Sequence, residues 1–228
     1  MTLTTTERRF TSVAVELRAA GDKRKIGGYA AVFNKLSQNL GGFVEQLAPS
    51  VFNKSKGDGW PDVMARFNHE DAGLLGTTAS RTLQLKIDEF GLLYEVDPPQ
   101  ARADIVELVE RGDVAKSSFA FRVPKGGDEW STTDLGFPLR TLISVQLVDV
   151  APVTIPAYLD TTAALRSLAE QVGADPEEVR AAAAGDQLSR YIRKPKGGKP
   201  APQAPRTFGP AAAAQLEALR VPAVDQAA

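Results

Sequence analysis

The sequence contains no cysteine and a single histidine, His69. Cysteine nucleophiles and thiol–disulfide redox chemistry are therefore excluded, and so are zinc sites built on several cysteine or histidine ligands. For an enzyme that uses acid–base chemistry near neutral pH, His69 is the obvious proton carrier, because a free imidazole has a pKa of about 6.5. The first question is which hydroxyl group, if any, this histidine serves.

Excess charge of one sign and long apolar runs are also missing. The 228 residues carry a formal net charge of −1, whereas a nucleic-acid-binding protein would show a basic excess. No apolar run approaches the roughly 20 residues that span a bilayer, and the N-terminus lacks the apolar stretch of a secretory signal. We therefore expect a soluble protein of the cytoplasm with one sizeable core.

Up to about residue 160 the chain alternates apolar and polar residues and turns often, which is typical of β-rich domains. A helix is predicted over 103–111, where four apolar residues have helical spacing and Gly112 follows as a C-terminal cap. The pattern predicts a mostly β, α+β domain over 1–165 with at least one inserted helix. The predicted strands are 10–17, 26–33, 83–87, 92–96, 117–123 and 142–150.

After residue 160 the composition becomes rich in alanine. Helices are predicted over 161–170 and 176–184. Residues 194–210 are rich in proline, glycine and lysine and cannot bury enough apolar surface to order themselves. We therefore expect a helical extension over 166–193, followed by a linker and a short terminal helix over 194–228.

The best candidate for a catalytic hydroxyl is Ser118, in the segment Lys116–Arg122. As a strand, this segment directs Ser118 and Ala120 to one face, while Phe119 and Phe121 anchor the other face in the core. The small Ala120 would leave room for a substrate carbonyl, and a rigid strand suits a nucleophile. Serine is also common on solvated strand faces, and the pattern alone favours that interpretation.

Asp149 interrupts an otherwise apolar run, and a buried lone carboxylate is costly. It is a candidate to orient the His69 imidazole, as the acid of a serine triad does. An edge-strand aspartate or an ion pair with Arg140 explains the pattern about as well as this triad role does. The segment around His69, taken on its own, favours a surface turn with a solvated histidine over a catalytic site. The acids Glu70 and Asp71 suggest a magnesium site only weakly.

Six short motifs follow one another in order between about residues 10 and 165. They are GYAAVF (28–33), EQLAPSVF (45–52), NHE (68–70) with LG (75–76), DEFGL (88–92), SFAF (118–121) and LVDVAPVTIPA (147–157). In this order, with the single histidine at the family's histidine, the motifs resemble those of the prohead serine proteases of tailed bacteriophages. The resemblance covers the whole β-rich part of the chain.

The resemblance implies a serine endopeptidase with a herpesvirus-protease-like β-barrel. It assigns Ser118 as the nucleophile, His69 as the general base and Asp149 as the acid, at a position where the family usually has glutamate. Ser117 directly precedes the family's serine and is the alternative nucleophile. The candidate oxyanion donors are backbone amides near Ser118, or Arg140 through a water. No cofactor and no metal are expected.

The substrate that the resemblance implies is a scaffold protein or the scaffolding segment of the major capsid protein. Cleavage would take place in the host bacterial cytoplasm, inside the assembling prohead. Residues 194–210 are a candidate site of self-cleavage, with a passive tail or a recruiting tail as alternatives. A homodimer is reasonable to expect of this fold. Because His69 must be neutral to act as base, activity should fall below about pH 6.5.

Two other function classes remain open. A non-catalytic capsid-assembly module of the same fold would keep the barrel and use the alanine-rich helices for association. An unrelated acyl hydrolase is disfavoured, because the sequence contains no Gly-x-Ser-x-Gly elbow and lacks the β–α alternation of that fold.

Overall fold

The computed structural model describes residues 5–20, 23–154 and 162–192. The strands within these ranges are β1 (Glu7–Ala14), β2 (Glu16–Ala20), β3 (Lys23–Val32), β4 (Val44–Leu47), β5 (Met64–Arg66), β6 (Leu74–Thr77), β7 (Leu83–Ile87), β8 (Gly91–Val96), β9 (Lys116–Arg122), β10 (Asp128–Thr132), β11 (Pro138–Leu142) and β12 (Gln146–Val153). The α-helices are α1 (Asn53–Gly57), α2 (Ala103–Glu110), α3 (Thr162–Val172) and α4 (Pro176–Ala184). Short 3-10 turns occur at Phe67–His69, Asp71–Gly73, Gln100–Arg102 and Leu188–Tyr191.

The described strands form three open sheets. The five-stranded sheet has the order β1-β9-β12-β5-β6, the four-stranded sheet β2-β3-β8-β7, and the three-stranded sheet β10-β11-β4. Most neighbours are antiparallel, but β12 with β5 and β11 with β4 are parallel. The predicted α+β class is confirmed. The predicted herpesvirus-like barrel is not confirmed, since no closed barrel forms among the residues described.

Two of the predicted strands are divided in the structure, because loop contacts replace strand pairing. The run 10–17 is interrupted at Val15, whose backbone N–H donates to the Ala115 carbonyl oxygen at 3.2 Å. Residues before this point belong to the five-stranded sheet and residues after it to the four-stranded sheet. The run 142–150 is interrupted at Val145, whose N–H donates to the Val51 carbonyl oxygen at 2.9 Å.

The main apolar core collects side chains from all three sheets, from α2, and from Val51 and Phe52 just before α1. Phe119 and Phe121 of β9 stack in it with ring centroids 5.0 Å apart, and Phe52 meets Phe119 edge-on at 5.9 Å. Each fully buried aromatic side chain of this kind stabilises the fold by roughly 1.5–3 kcal/mol. Strand β9 is therefore fixed from the face that Phe119 and Phe121 occupy.

The predicted C-terminal helices pack on a second, smaller apolar cluster. Side chains of α3 and α4 meet Leu40 and Phe43 there, and Gly42 is required because a Cβ on it would lie 2.6 Å from the Ala183 carbonyl oxygen. Helix α4 has its predicted bounds, and its Asp175 cap accepts hydrogen bonds from two backbone N–H groups. No helix in the described ranges is long and apolar enough to cross a membrane. The predicted linker and terminal helix over 194–228 lie outside the described residues.

Candidate active site

Ser118 lies near the middle of β9, inside the five-stranded sheet. Its neighbours across the sheet are Phe10 of β1 and Ala151 of β12. The residue has no exposed surface, so the solvated strand face that the sequence pattern favoured is wrong. The hydroxyl is instead held inside the protein, on a strand whose other face is fixed by aromatic packing.

His69 lies in a tight turn that follows β5. Both Asn68 and His69 have left-handed backbones, with φ of 53° and 60°, which costs most residues other than glycine roughly 1–2 kcal/mol. Asparagine tolerates this region well, and Asn68 Oδ1 accepts a hydrogen bond from the Thr154 backbone N–H at 3.0 Å. At Gly73 a Cβ would lie 2.6 Å from the Phe67 carbonyl oxygen. The turn is therefore tightly closed and tied to the end of β12.

The imidazole of His69 lies between the other two predicted site residues. Its Nε2 is 2.6 Å from Ser118 Oγ, and its Nδ1 is 2.5 Å from Asp149 Oδ1. His69, Ser118 and Asp149 are 7%, 0% and 2% exposed, so these contacts are shielded from bulk water. Residues that are 49 and 80 positions away from the histidine in sequence thus meet at one ring.

The contacts limit what each group can donate or accept once Asp149 is ionised and the ring is neutral. An ionised Asp149 can only accept, so Nδ1 carries a proton and donates it to Oδ1, and Nε2 of a neutral ring is left to accept from Ser118. Ser118 Oγ also lies 2.8 Å from the carbonyl oxygen of Arg9 in β1. The single hydroxyl proton therefore has two acceptors, and full donation to His69 requires that the contact with Arg9 is given up.

A β-bulge in β12 brings Asp149 to the face of the sheet that carries the serine. Leu147 pairs with Phe121, but Asp149 pairs with Ala120, so that one residue of β12 is left out of register. Regular pairing would place Asp149 opposite Phe119, on the core face. Because a shift of one residue moves a side chain to the other face, the contact between Asp149 and the histidine depends on this bulge.

The charged partner of Asp149 is Arg66, at the end of β5. Arg66 Nη1 lies 3.4 Å from Asp149 Oδ2 and 3.1 Å from Asp71 Oδ1. The ion pair between Asp149 and Arg140 that the sequence left open is therefore wrong. Sequence reasoning missed Arg66. Met64, two residues earlier, pairs directly with Asp149, but this pairing is visible only in the structure.

Arg140 lies fully buried in a different network. Its guanidinium contacts Glu7, Glu45 and Asp128 at 2.7 to 3.1 Å. Burial acts to lower the pKa of Arg140, but these carboxylates outweigh it and hold that pKa well above its ordinary value. Because its contacts are with these acids, Arg140 is unsuitable as the oxyanion donor considered above.

Ser117, the alternative nucleophile, lies on the opposite face of β9. Its Oγ is 3.2 Å from the hydroxyl oxygen of Tyr94, and both residues are fully buried. Burial raises the pKa of the Tyr94 phenol well above its ordinary value, so the phenol stays neutral. Ser117 therefore has a structural hydrogen bond with Tyr94.

The acids beside the histidine do not form a metal site. Glu70 and Asp71 are exposed, and Asp71 contacts Arg66. In the part of the chain that the structure describes, no group of three or more histidine, aspartate or glutamate side chains is placed to hold a metal ion. The magnesium site that the sequence weakly suggested has no support.

A serine hydroxyl, an imidazole and a carboxylate in hydrogen-bonded series are the components that serine hydrolases use. The chain belongs to the family of caudovirus prohead serine proteases, whose family model matches residues 12–173. The matched range contains Ser118, His69 and Asp149 and covers more than half of the chain. No curated protein and no solved structure matched the chain. Membership of this family supports a protease role in capsid maturation.

Proposed function

We propose that the chain is a serine endopeptidase in which Ser118 is the nucleophile, His69 the general base and Asp149 the acid that orients the imidazole. The observation that carries this proposal is the position of His69, with Nε2 at 2.6 Å from Ser118 Oγ and Nδ1 at 2.5 Å from Asp149. Buried polar groups are costly unless they are paired. Here the serine hydroxyl is paired with a base and the imidazole with a carboxylate, which are the pairings that acyl transfer requires.

The proposed reaction begins when Ser118 Oγ attacks a peptide carbonyl carbon while its proton moves to His69 Nε2. The tetrahedral intermediate collapses to an acyl-enzyme, and Nε2 returns the proton to the leaving amine. Water then attacks the ester, again giving a proton to Nε2, and the acid product and free Ser118 are released. Asp149 stays ionised throughout, holds the ring in the required tautomer and stabilises the imidazolium.

Access to Ser118 requires a local movement. The residue has no exposed surface, and its Oγ donates to the Arg9 carbonyl oxygen at 2.8 Å. A cavity of about 220 Å³ borders β1, and its lining includes Arg9, Phe10 and Phe119 but neither Ser118 nor His69. For attack, the hydrogen bond to Arg9 must therefore break, so that Oγ donates to His69 and the substrate carbonyl carbon can approach it.

The proposed substrate is a scaffold protein or the scaffolding segment of the major capsid protein. Membership of the prohead protease family supports this choice, because an irreversible cleavage inside the assembling shell would commit it to maturation. The proposed place of action is the assembling prohead in the host cytoplasm. Self-cleavage within residues 194–210 is a further part of this proposal, and those residues lie outside the described ranges.

The test is the intact mass of the capsid or scaffold protein after co-expression with this chain, wild type beside Ser118→Ala. We expect a truncated partner with the wild type and a full-length partner with the variant. The masses of the protease chain itself show whether its tail is trimmed. The matched control is Ser117→Ala, which changes the neighbouring hydroxyl on the opposite face and should leave cleavage in place.

Other outcomes would replace the proposal. If both wild type and Ser118→Ala leave the partner intact while assembly still needs the chain, the capsid-assembly module is the function. If both cleave the partner equally, Ser118 is not the nucleophile and Ser117 is the next residue to test. The proposed homodimer is tested separately by sedimentation, and the proposed relation to herpesvirus assembly proteases by an experimental structure.

A further inference from the structure

The second oxygen of the Asp149 carboxylate has a partner that the serine–histidine–acid relay does not use. Oδ1 faces His69, while Oδ2 lies 3.4 Å from Nη1 of Arg66. Asp149 is 2% exposed, so its negative charge is poorly stabilised by water. Arg66 brings a permanent positive charge to this buried group, because a guanidinium does not lose its proton in proteins.

The strand pairing explains why Arg66 reaches this position. Strand β5 runs parallel to β12, and Met64 pairs directly with Asp149. Arg66 stands two residues after Met64 and so shares its face of the sheet. The Arg66 guanidinium also contacts Asp71 Oδ1 at 3.1 Å, just beyond the turn that carries His69. Arg66 thus joins an inner and an outer carboxylate across the histidine turn.

The charge balance of the resting site points to a role for this contact. When His69 is neutral, as a general base must be, the imidazole does not compensate the charge of Asp149. When His69 takes a proton, the imidazolium and Arg66 lie on the two oxygens of one carboxylate and repel each other. The charged groups around His69 are Asp149 of β12, Arg66 of β5 and Asp71 after the turn. Ser118 of β9 is its neutral partner.

We propose that Arg66 is a positioning residue of the site: it keeps Asp149 ionised and directed at His69, and it keeps the imidazole neutral at pH values where it would otherwise be protonated. This inference rests on the proposed function only for its consequence in catalysis. The effect on the protonation of His69 is a property of the folded protein whether or not it cleaves peptides.

The test is a pH titration of the His69 ring by NMR, which needs no assignment because the sequence contains one histidine; the protein must carry no histidine tag. In Arg66→Gln, removal of the positive charge favours the imidazolium. We expect the titration midpoint to move to higher pH by about one unit. Arg66→Lys keeps the charge and should titrate close to the wild type.

The matched control is Arg122→Gln, which removes one positive charge from an exposed position of β9, the strand that carries Ser118. Its midpoint should coincide with that of the wild type. Thermal unfolding of each variant shows whether the fold is retained. A midpoint in folded Arg66→Gln equal to that of the wild type would overturn the proposal, and so would a lysine variant that titrates like the glutamine variant.

A second readout connects the titration with reactivity. The rate of fluorophosphonate attachment to Ser118 is followed by intact mass as a function of pH. In Arg66→Gln the decrease of this rate on the acid side should move to higher pH by the same amount as the NMR midpoint. A rate that is lowered at every pH with an unmoved acid limb would mean that Arg66 has a merely structural role. If wild-type Ser118 is not labelled at all, the proposed function fails, while the NMR titration still decides the role of Arg66.

Discussion

At the residue scale, the Asp149 carboxylate contacts one nitrogen of the His69 ring, and we propose that this contact selects the ring tautomer. Its Oδ1 lies 2.5 Å from Nδ1, and in the proposed mechanism it accepts the Nδ1 proton, which leaves Nε2 to take the proton of Ser118. In Asp149→Asn the neutral amide no longer stabilises the imidazolium and also permits the wrong tautomer. We expect the rate of fluorophosphonate attachment to Ser118 to fall by about 10⁴-fold, the scale of an aspartate-to-asparagine change in a Ser-His-Asp triad.

Intact-mass measurements over time give this rate, with Ser118→Ala as the unreactive reference. A loss of less than tenfold in a folded Asp149→Asn protein would contradict the assigned role. At acid pH the wild-type rate should also decrease, because a protonated imidazole cannot accept the serine proton.

Tyr94 gives a prediction about alkaline pH. Burial raises its pKa well above the ordinary value, whereas the phenol of the unfolded chain ionises near pH 10. The contribution of Tyr94 to stability is therefore complete below about pH 10 and is lost as the pH rises further, since only the unfolded state gains from ionisation.

The matching variant is Tyr94→Phe. Urea unfolding at pH 9 and pH 11 should show that the wild type loses roughly 1 kcal/mol more unfolding free energy than the variant over this interval. At pH 9 the variant itself should be less stable by about 1 kcal/mol, because Ser117 loses its partner. The pKa of Tyr29 is also raised, by burial and by its hydrogen bond to Asp88. Because Tyr29 is present in both proteins, its effect cancels in the comparison. Equal losses would contradict the prediction.

At the scale of secondary-structure elements, the turn after β5 decides where the imidazole lies. Asn68 combines a left-handed backbone with a hydrogen bond from the Thr154 N–H to its side chain at 3.0 Å. In Asn68→Ala both the tolerance of this backbone and the link to β12 are lost. We expect the unfolding free energy to decrease by about 2 kcal/mol and Ser118 labelling to slow by about tenfold or more.

Asn68→Gly separates the two effects. Glycine adopts the left-handed backbone freely but cannot bind Thr154. This variant should therefore recover about 1 kcal/mol of stability relative to Asn68→Ala while its labelling stays slow. Recovery of the full labelling rate by glycine would show that the backbone, and not the link to β12, positions His69.

The elements also show how far sequence patterns reach. The alternation in 83–87 predicted β7 with its observed bounds, and the cap at Asp175 predicted the start of α4, because local patterns decide both. The run 142–150 was predicted as one strand, but its backbone bonds with distant loops divide it. Contacts between distant segments leave no trace in a window of nine residues.

At the scale of the whole molecule, a buried ionic network joins four strands and a helix. The two guanidinium groups of Arg9 and Arg140 face the three carboxylates of Glu7, Glu45 and Asp128. Asp128 also accepts hydrogen bonds from Ser167 and Gln171 of α3. The network thus links the C-terminal helices to strand β1, whose Arg9 carbonyl contacts the serine.

In Arg140→Met the carboxylates of this network lose their central counter-charge while they remain buried. We expect the unfolding free energy to decrease by about 3–5 kcal/mol. The matched control is Arg24→Met, which removes an exposed ion pair with Glu110 and should cost well under 1 kcal/mol. Urea unfolding of both variants measures the difference, and similar losses in the two would contradict the role of the network.

The sequence by itself determined the chemistry available to this protein. One histidine, no cysteine and the ordered motifs around Ser118 and Asp149 restricted the site to a few residues, because these are properties of composition and local order. The structure brings the same three residues together. It also shows that Ser118 is buried, whereas the strand pattern favoured a solvated face, since the cover comes from remote segments.

Only the tertiary structure decided which face Asp149 occupies and which cation it meets. The bulge in β12 moves the carboxylate to the side of the serine, and the parallel pairing with β5 brings Arg66 to its second oxygen. Arg140, the cation considered from sequence, is bound instead by Glu7, 133 positions away. Register and long-range pairing depend on the packing of the whole sheet, and for this reason neither is encoded in any local pattern.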